Sequence, residues 1–429
     1  MFDAVVEPAG EPGLLRFVTA GSVDDGKSTL IGRLLHDSKA LMVDQVAAIA
    51  GARHARAAPG EIDLALVTDG LEAEREQGIT IDVAYRYFAT PGRSFIIADA
   101  PGHEQYTRNM VTAASTADVA VVLIDASRIE GGSLKAQTRR HTAVAAMLGL
   151  KVIAAVNKMD LVGWDEGRFD EIAQAMRALA GTLEVELLAI VPMSAKAGDN
   201  VVERSAAAPW YAGPSLSELL EAAPARAENA AGPLRLPIQR VARVTGPDGA
   251  PLRGYQGRIE HGTVSVGDAL AIAGRADTVT VAALHVGADA RRSAGPGLSV
   301  TVMLGEDVDL TRGDVLASPG VRHARSVTAD LCWLDEDAWN PSVAYLLRQG
   351  ALTTRAKIAG VHWVRDVTTL AEVAAADGLR LNDIARATVT TQAPLLADAY
   401  DELPSTGAFV LINPQTRQTA AAGMIRTAL

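Results

Sequence analysis

An α/β domain followed by an all-β C-terminal half is the architecture this sequence predicts, and three observations predict it. The stretch Gly21–Ser28, GSVDDGKS, fits Gly-x-x-x-x-Gly-Lys-Ser/Thr and sits between an apolar run and an amphipathic one. Three later runs, RSFIIADAPGH, KVIAAVNKMD and LLAIVPMSAK, are apolar and then end in a polar cluster, as buried parallel strands do when they open into a site. From about Leu234 onward, short β-type runs such as RGYQGRIEHGTVSVGDALAIA alternate with Gly and Asp turns.

Size and charge set the outer limits. A chain of 429 residues is long enough for two or three domains, each with its own core. It is 48% hydrophobic and 21% charged, and no apolar run reaches the ~18 residues of a membrane span. The opening MFDAVVEPAGEPGLLRF carries acidic residues and prolines where a secretory signal has a basic start and an apolar core. The single cysteine, Cys332, reads as a packed residue in a reducing compartment, so the expected location is the cytoplasm, away from membranes. A net charge of −11 argues against general nucleic-acid binding, and 4% aromatic residues argue against a stacking platform for single strands.

In chain order, LLRFVTA reads as a buried strand and KSTLIGRLLHDS as an amphipathic helix, with the glycine-rich loop between them. Glycines let successive backbone N–H groups converge on phosphate oxygens, Lys27 brings a mobile cation to the outer phosphates, and the Ser28 hydroxyl suits magnesium. Phosphate contacts are assigned to Gly21, Asp24, Asp25, Gly26, Lys27, Ser28 and Thr29, with the Gly102 N–H offered to a γ-phosphate. Asp99, at the end of RSFIIAD, is placed to hold magnesium through water. Within DGLEAEREQGITIDVAYRYF, Gly78, Ile79 and Thr80 form a switch whose threonine closes over magnesium and γ-phosphate.

The base is assigned by Asn157, Lys158 and Asp160. The Asp160 carboxylate accepts from guanine N1–H and its exocyclic amine together, a pair that adenine lacks, and a backbone N–H among Ser194, Ala195 and Lys196 faces the guanine carbonyl. The expected ligands are therefore GTP and Mg2+. HEQYT begins like a zinc site, but Thr107 stands where the second histidine belongs. Arg139 and Arg140 of QTRRH read equally as a solvated helix face or a partner surface.

GSVDDGKS, GIT, DAPGH, NKMD and SAK together resemble the five motifs of the translational-type GTPases. That resemblance implies an α/β P-loop GTPase domain followed by two antiparallel β-barrel domains, with the division 1–228, 229–322 and 323–429. The Ala/Pro/Gly-rich stretch between Glu221 and Pro233 reads as the linker. His103 stands where such GTPases hold a water-positioning histidine, screened by an apolar pair that corresponds to Val23 and Ile79, and it is the expected catalytic residue for GTP hydrolysis.

Longer matches narrow the branch. VTDGLEAEREQGITIDVAYRYF, IADAPGHEQYTRNMVTAASTADVAVVLIDA, QTRRHTAVAAMLGLKVIAAVNKMDLV and PWYAGPSLSELLE look like the GTPase subunit of bacterial sulfate adenylyltransferase. The resemblance implies a heterodimer with a small catalytic subunit, on which ATP and sulfate become adenosine 5′-phosphosulfate and pyrophosphate. Because forming that phosphosulfate anhydride is uphill, coupling to GTP hydrolysis makes chemical sense. The alternatives are an elongation factor that delivers aminoacyl-tRNA and a free regulatory GTPase. SRIEGGSLKAQ around Glu130 and VTGPDGAPLRG around Asp248 are longer than the resemblance leads one to expect. No second Gly-x-x-x-x-Gly-Lys-Ser follows, so a fused adenylylsulfate kinase is not expected.

Overall fold

A computed structural model describes residues 13–41, 64–67, 82–103, 106–129, 131–225, 232–245, 251–366, 369–375 and 378–429. Thr80, Ile79 and Gly78 of the expected switch, and Glu130 and Asp248 of the two long segments, lie outside them. The chain divides into two compact units, with the break in the main chain at Arg226/Ala227.

The first unit is built on a six-stranded sheet in the order β2-β3-β1-β4-β5-β6, where β1 is Leu14–Ala20, β2 Ala84–Ala89, β3 Ser94–Asp99, β4 Val119–Asp125, β5 Lys151–Asn157 and β6 Leu187–Pro192. All pairings are parallel except that of the edge strand β2 with β3. Parallel strands are covered on both faces, which is why VAVVLID of β4 is apolar up to its last residue and buried throughout. Helix α1 (Lys27–Asp37) shows the complementary pattern: Leu30, Ile31, Leu34 and Leu35 recur at helical spacing and all are buried. Helices α2 (Thr107–Ser115), α3 (Ala136–Met147), α4 (Glu166–Thr182) and α5 (Leu216–Ala222) follow.

Two of these helices correct the sequence reading. Glu221 belongs to α5, which a Ser215–Glu218 capping box starts, so the linker begins later than expected. Arg140 is neither a solvated nor a partner-facing residue: only 8% of it is exposed, and its guanidinium donates to Gln137 Oε1 at 2.8 Å.

Strand β1 lies between β3 and β4, which were added on opposite sides of it, so the order of strand addition reverses beside β1. Parallel sheets open a crevice at such a point. The register brings Thr19 across from Asp99 and Asp125 across from Asn157. The polar residues that end each apolar run are thereby gathered along one edge.

The second unit holds two antiparallel barrels. In the first, Arg235–Pro237, Val315–Ala317, Ala269–Ile272, Thr278–Val286, Ser299–Leu304, Pro251–Arg258 and Arg240–Thr245 pair in that order around Leu236, Ile259, Leu270, Val281 and Val302. In the second, Tyr345–Gln349, Ala408–Ile412, Thr419–Ala428, His323–Trp333, Ile384–Leu396 and Leu352–Arg365 follow one another, and the last pairs back to the first. Closure of this second sheet removes free edges that invite aggregation. Cys332 is fully buried on His323–Trp333, as a packed cysteine should be.

Candidate functional site

The loop from Gly21 to Gly26 joins β1 to α1 and bends through three positive-φ positions, Gly21 at 150°, Asp24 at 65° and Gly26 at 97°. Glycine is required at two places here for different reasons. At Gly26 the backbone is left-handed and a Cβ would collide with Asn157 Nδ2. At Gly102 a Cβ would press on Lys27 Nζ and on the Gly21 carbonyl, so the DAPGH turn reaches the loop only because residue 102 has no side chain.

Lys27 is buried and donates to the carbonyls of Gly21 at 3.0 Å and Ser22 at 2.8 Å. Burial pulls its ammonium below the ordinary value, while Asp99, Asp25 and Asp24 push the other way. Asp99 is itself buried at the end of β3, where it accepts from Thr19 Oγ1 at 3.4 Å. Ser28 and Thr29 open α1 and are half-buried.

The base-side motifs are bound to the loop by a single side chain. Asn157 donates from Nδ2 to the Asp25 carbonyl at 2.8 Å and accepts at Oδ1 from the Ala195 N–H at 2.9 Å. It is thus a strut between the phosphate loop and the Ser194–Lys196 turn, and the Ala195 N–H that was open to face a base is committed to that strut. Lys158, left-handed at φ 64°, donates to the buried Asp125 at 2.7 Å. Burial raises the Asp125 carboxyl, but the hydrogen bonds from Lys158 and Ser127 outweigh it and hold the group below its usual range. Asp160 stands exposed in the turn Met159–Val162, leaving its carboxylate available to a ligand.

Three residues that sequence reasoning missed complete the frame. His141 on α3 accepts the Gly21 N–H at Nδ1, 2.9 Å away. Its burial, with Lys27 and Arg140 nearby, lowers its pKa to about 3, so the ring is neutral at physiological pH and free to accept. Lys135, just before α3, bonds to Asp25 at 2.8 Å. Arg33 of α1 donates to the carbonyls of Ala195 and Lys196 and fixes the base-side turn from below. His103 is half-buried after Gly102, with Nδ1 buried and without a hydrogen-bond partner among the described residues.

Among the described residues no group of three or more His, Cys, Asp or Glu side chains could hold a metal by itself. The donors near Lys27 are a hydroxyl, Ser28, and a carboxylate, Asp99. Such hard oxygens suit magnesium, which keeps several waters and takes the rest of its shell from phosphate.

The fold and this edge define a P-loop GTPase of the translational class, and the comparisons agree. Residues 13–228 match the family described as "Elongation factor Tu GTP binding domain", and residues 326–426 match "GTP-eEF1A C-terminal domain-like". The chain is 44% identical to "Sulfate adenylyltransferase subunit 1" of Methylorubrum populi over 99% of its own length and 90% of that protein. It is 45% identical to the protein of the same name from Teredinibacter turnerae, over 100% of this chain and 90% of that one. It is also 46% identical to "Bifunctional enzyme CysN/CysC" of Mycobacterium tuberculosis, over 96% of this chain and 67% of that protein. The chain belongs to the sulfate adenylyltransferase subunit 1 family, and it is a GTP-binding enzyme with a GTPase domain.

Proposed function

We propose that this chain is the GTPase subunit of a cytoplasmic sulfate adenylyltransferase. It hydrolyses GTP while a small partner subunit joins ATP and sulfate into adenosine 5′-phosphosulfate and pyrophosphate. The observation that carries this reading is identity of 44–45% to subunits of that name over nearly the whole of both chains. An aminoacyl-tRNA carrier is less well supported, since these relatives take their name from sulfate chemistry. No helix among the described residues is long and apolar enough to cross a membrane.

In the proposed mechanism the backbone N–H groups of the loop from Gly21 to Thr29, those of Asp24 and Asp25 included, hold the phosphates, and Asp160 reads the guanine in a site shaped by Asn157, Lys158 and Ser194–Lys196. Ser28 and Thr80 would ligate magnesium directly and Asp99 through water; the ion would supply charge neutralisation at the outer phosphates. His103 orients a water whose oxygen attacks the γ-phosphorus as the bond to the β-phosphate oxygen breaks. GDP and phosphate leave, and the water's proton passes to phosphate or solvent. Lys27 and the Gly102 N–H stabilise charge on the transferred oxygens. Domain bounds of 1–228, 229–322 and 323–429 would assign the phosphate and base sites to the first domain and the barrels to the other two.

Copurification tests the assembly. With the small subunit expressed untagged beside the tagged chain, the two should elute together, and more tightly in one nucleotide state, because switch closure changes the surface that a partner meets. Failure to copurify with either GDP or a non-hydrolysable GTP analogue would contradict the heterodimer.

A further inference from the structure

Two residues of the segment that follows β4, Arg128 and Lys135, each reach an aspartate of the phosphate loop. Arg128 Nη2 is 3.6 Å from Asp24 Oδ2, and Lys135 Nζ is 2.8 Å from Asp25 Oδ1. Two consecutive loop aspartates therefore each face a cation from one stretch of chain. The two contacts differ in weight. Arg128 and Asp24 are both about half exposed, at 51% and 57%, where an ion pair contributes little. At the second contact the Asp25 side chain is 1% exposed and that of Lys135 26%.

Asp25 has a second partner. Its other oxygen, Oδ2, accepts the Ser22 N–H at 2.6 Å, so one carboxylate joins Lys135 to the backbone that curls around the phosphate position. A buried carboxylate in such a place is a liability unless it is neutralised, because it costs desolvation and repels the phosphates that the loop exists to hold. Lys135 supplies the neutralising charge, and its position is fixed by α3, which begins at the next residue. The same helix holds the Gly21 N–H through His141.

We propose that Lys135 is a positioning residue for the nucleotide: it pins the Asp25 carboxylate, which fixes the Ser22 N–H, and so sets how long the loop retains GDP. This rests on the reading of Gly21–Ser28 as the phosphate loop for a guanine nucleotide. A cation in this segment couples whatever moves residues 131–135 to nucleotide release, with no contact between Lys135 and the nucleotide required.

The test follows release of a fluorescent GDP analogue from the full chain after a chase with excess GDP. Lys135→Ala should speed release by about tenfold, since its loss takes from the buried Asp25 carboxylate its ion-pair partner, and Lys135→Arg should restore a rate within about threefold of the starting protein. In an Asp25→Asn background, with folding checked by circular dichroism, Lys135→Ala should add nothing. Equal release from Lys135→Ala and the starting protein would overturn the proposal. So would an arginine variant as fast as the alanine one, or an acceleration that persists in the Asp25→Asn background. If the starting protein fails to bind GDP at all, the fault lies with the reading of the loop.

Discussion

His103→Ala is expected to keep GTP affinity and partner binding while losing on the order of a hundredfold or more of partner-stimulated hydrolysis, the scale of a positioned acid, base or water-orienting group. Phosphoryl transfer passes through a loose transition state, so the protein's task is to place water and to stabilise charge. His103 follows Gly102, whose missing side chain lets the turn press against Lys27 and the Gly21 carbonyl. His103 is thereby the residue next to the contact between Gly102 and Lys27. Its Nδ1 is buried without a hydrogen-bond partner among the described residues, an arrangement that costs free energy unless a ligand or water satisfies it. The alternative is a helix cap: α2 starts at Thr107, and the Tyr106 N–H donates to the backbone carbonyl of His103 at 3.0 Å, a contact that uses no atom of the imidazole. Full stimulated turnover in a folded His103→Ala protein would take the residue out of the mechanism. Charge stabilisation by Lys27 and the Gly102 N–H would then be what remains.

Asp160→Asn should weaken GTP binding by about a hundredfold or more and shift preference toward xanthosine triphosphate. A site built around specific hydrogen bonds rejects a ligand that leaves them unmade far more strongly than an apolar pocket rejects a missing methylene. In the proposed site the carboxylate would accept two hydrogens from guanine, whereas an amide offers one acceptor and one donor, and that donor suits the carbonyl that xanthine carries at its 2-position. The surroundings make the substitution clean. Asp160 is exposed, and its two neighbours in the motif are occupied elsewhere, Asn157 as a strut and Lys158 on Asp125. The change should therefore spare the fold. Competition of GTP and xanthosine triphosphate for the same labelled nucleotide measures both parts, and unchanged GTP affinity would contradict the assignment.

What the sequence made legible is what local chemistry dictates. Buried parallel strands demand continuous apolar runs, so β1, β3, β5 and β6 could be seen, and the polar residues at their ends had to meet once the strands were parallel. Gly26 and Gly102 could be marked because a loop around phosphate needs close backbone approach. The supports of the loop were not legible. His141 meets Gly21 across 120 residues and Lys135 meets Asp25 across 110, and no periodicity encodes which helix side chain arrives at which loop atom. The same holds for Arg140, whose place in QTRRH suggested a solvated face or a partner surface, whereas α3 packs it inside. Asn157 shows the intermediate case: its position in the motif was clear, but its work as a strut depends on the Ser194–Lys196 turn brought alongside by β6.

The central claim is that GTP hydrolysis here serves sulfate activation on a partner, and one coupled assay tests it most directly. The purified chain and the small subunit are incubated with GTP, ATP and sulfate, and phosphate from GTP and adenosine 5′-phosphosulfate are followed in the same tube. The account predicts slow GTP hydrolysis by the chain alone, acceleration when the small subunit, ATP and sulfate are all present, and more adenosine 5′-phosphosulfate with GTP than without it. Hydrolysis that ignores the small subunit and its substrates, but responds to ribosomes loaded with aminoacyl-tRNA, would contradict it.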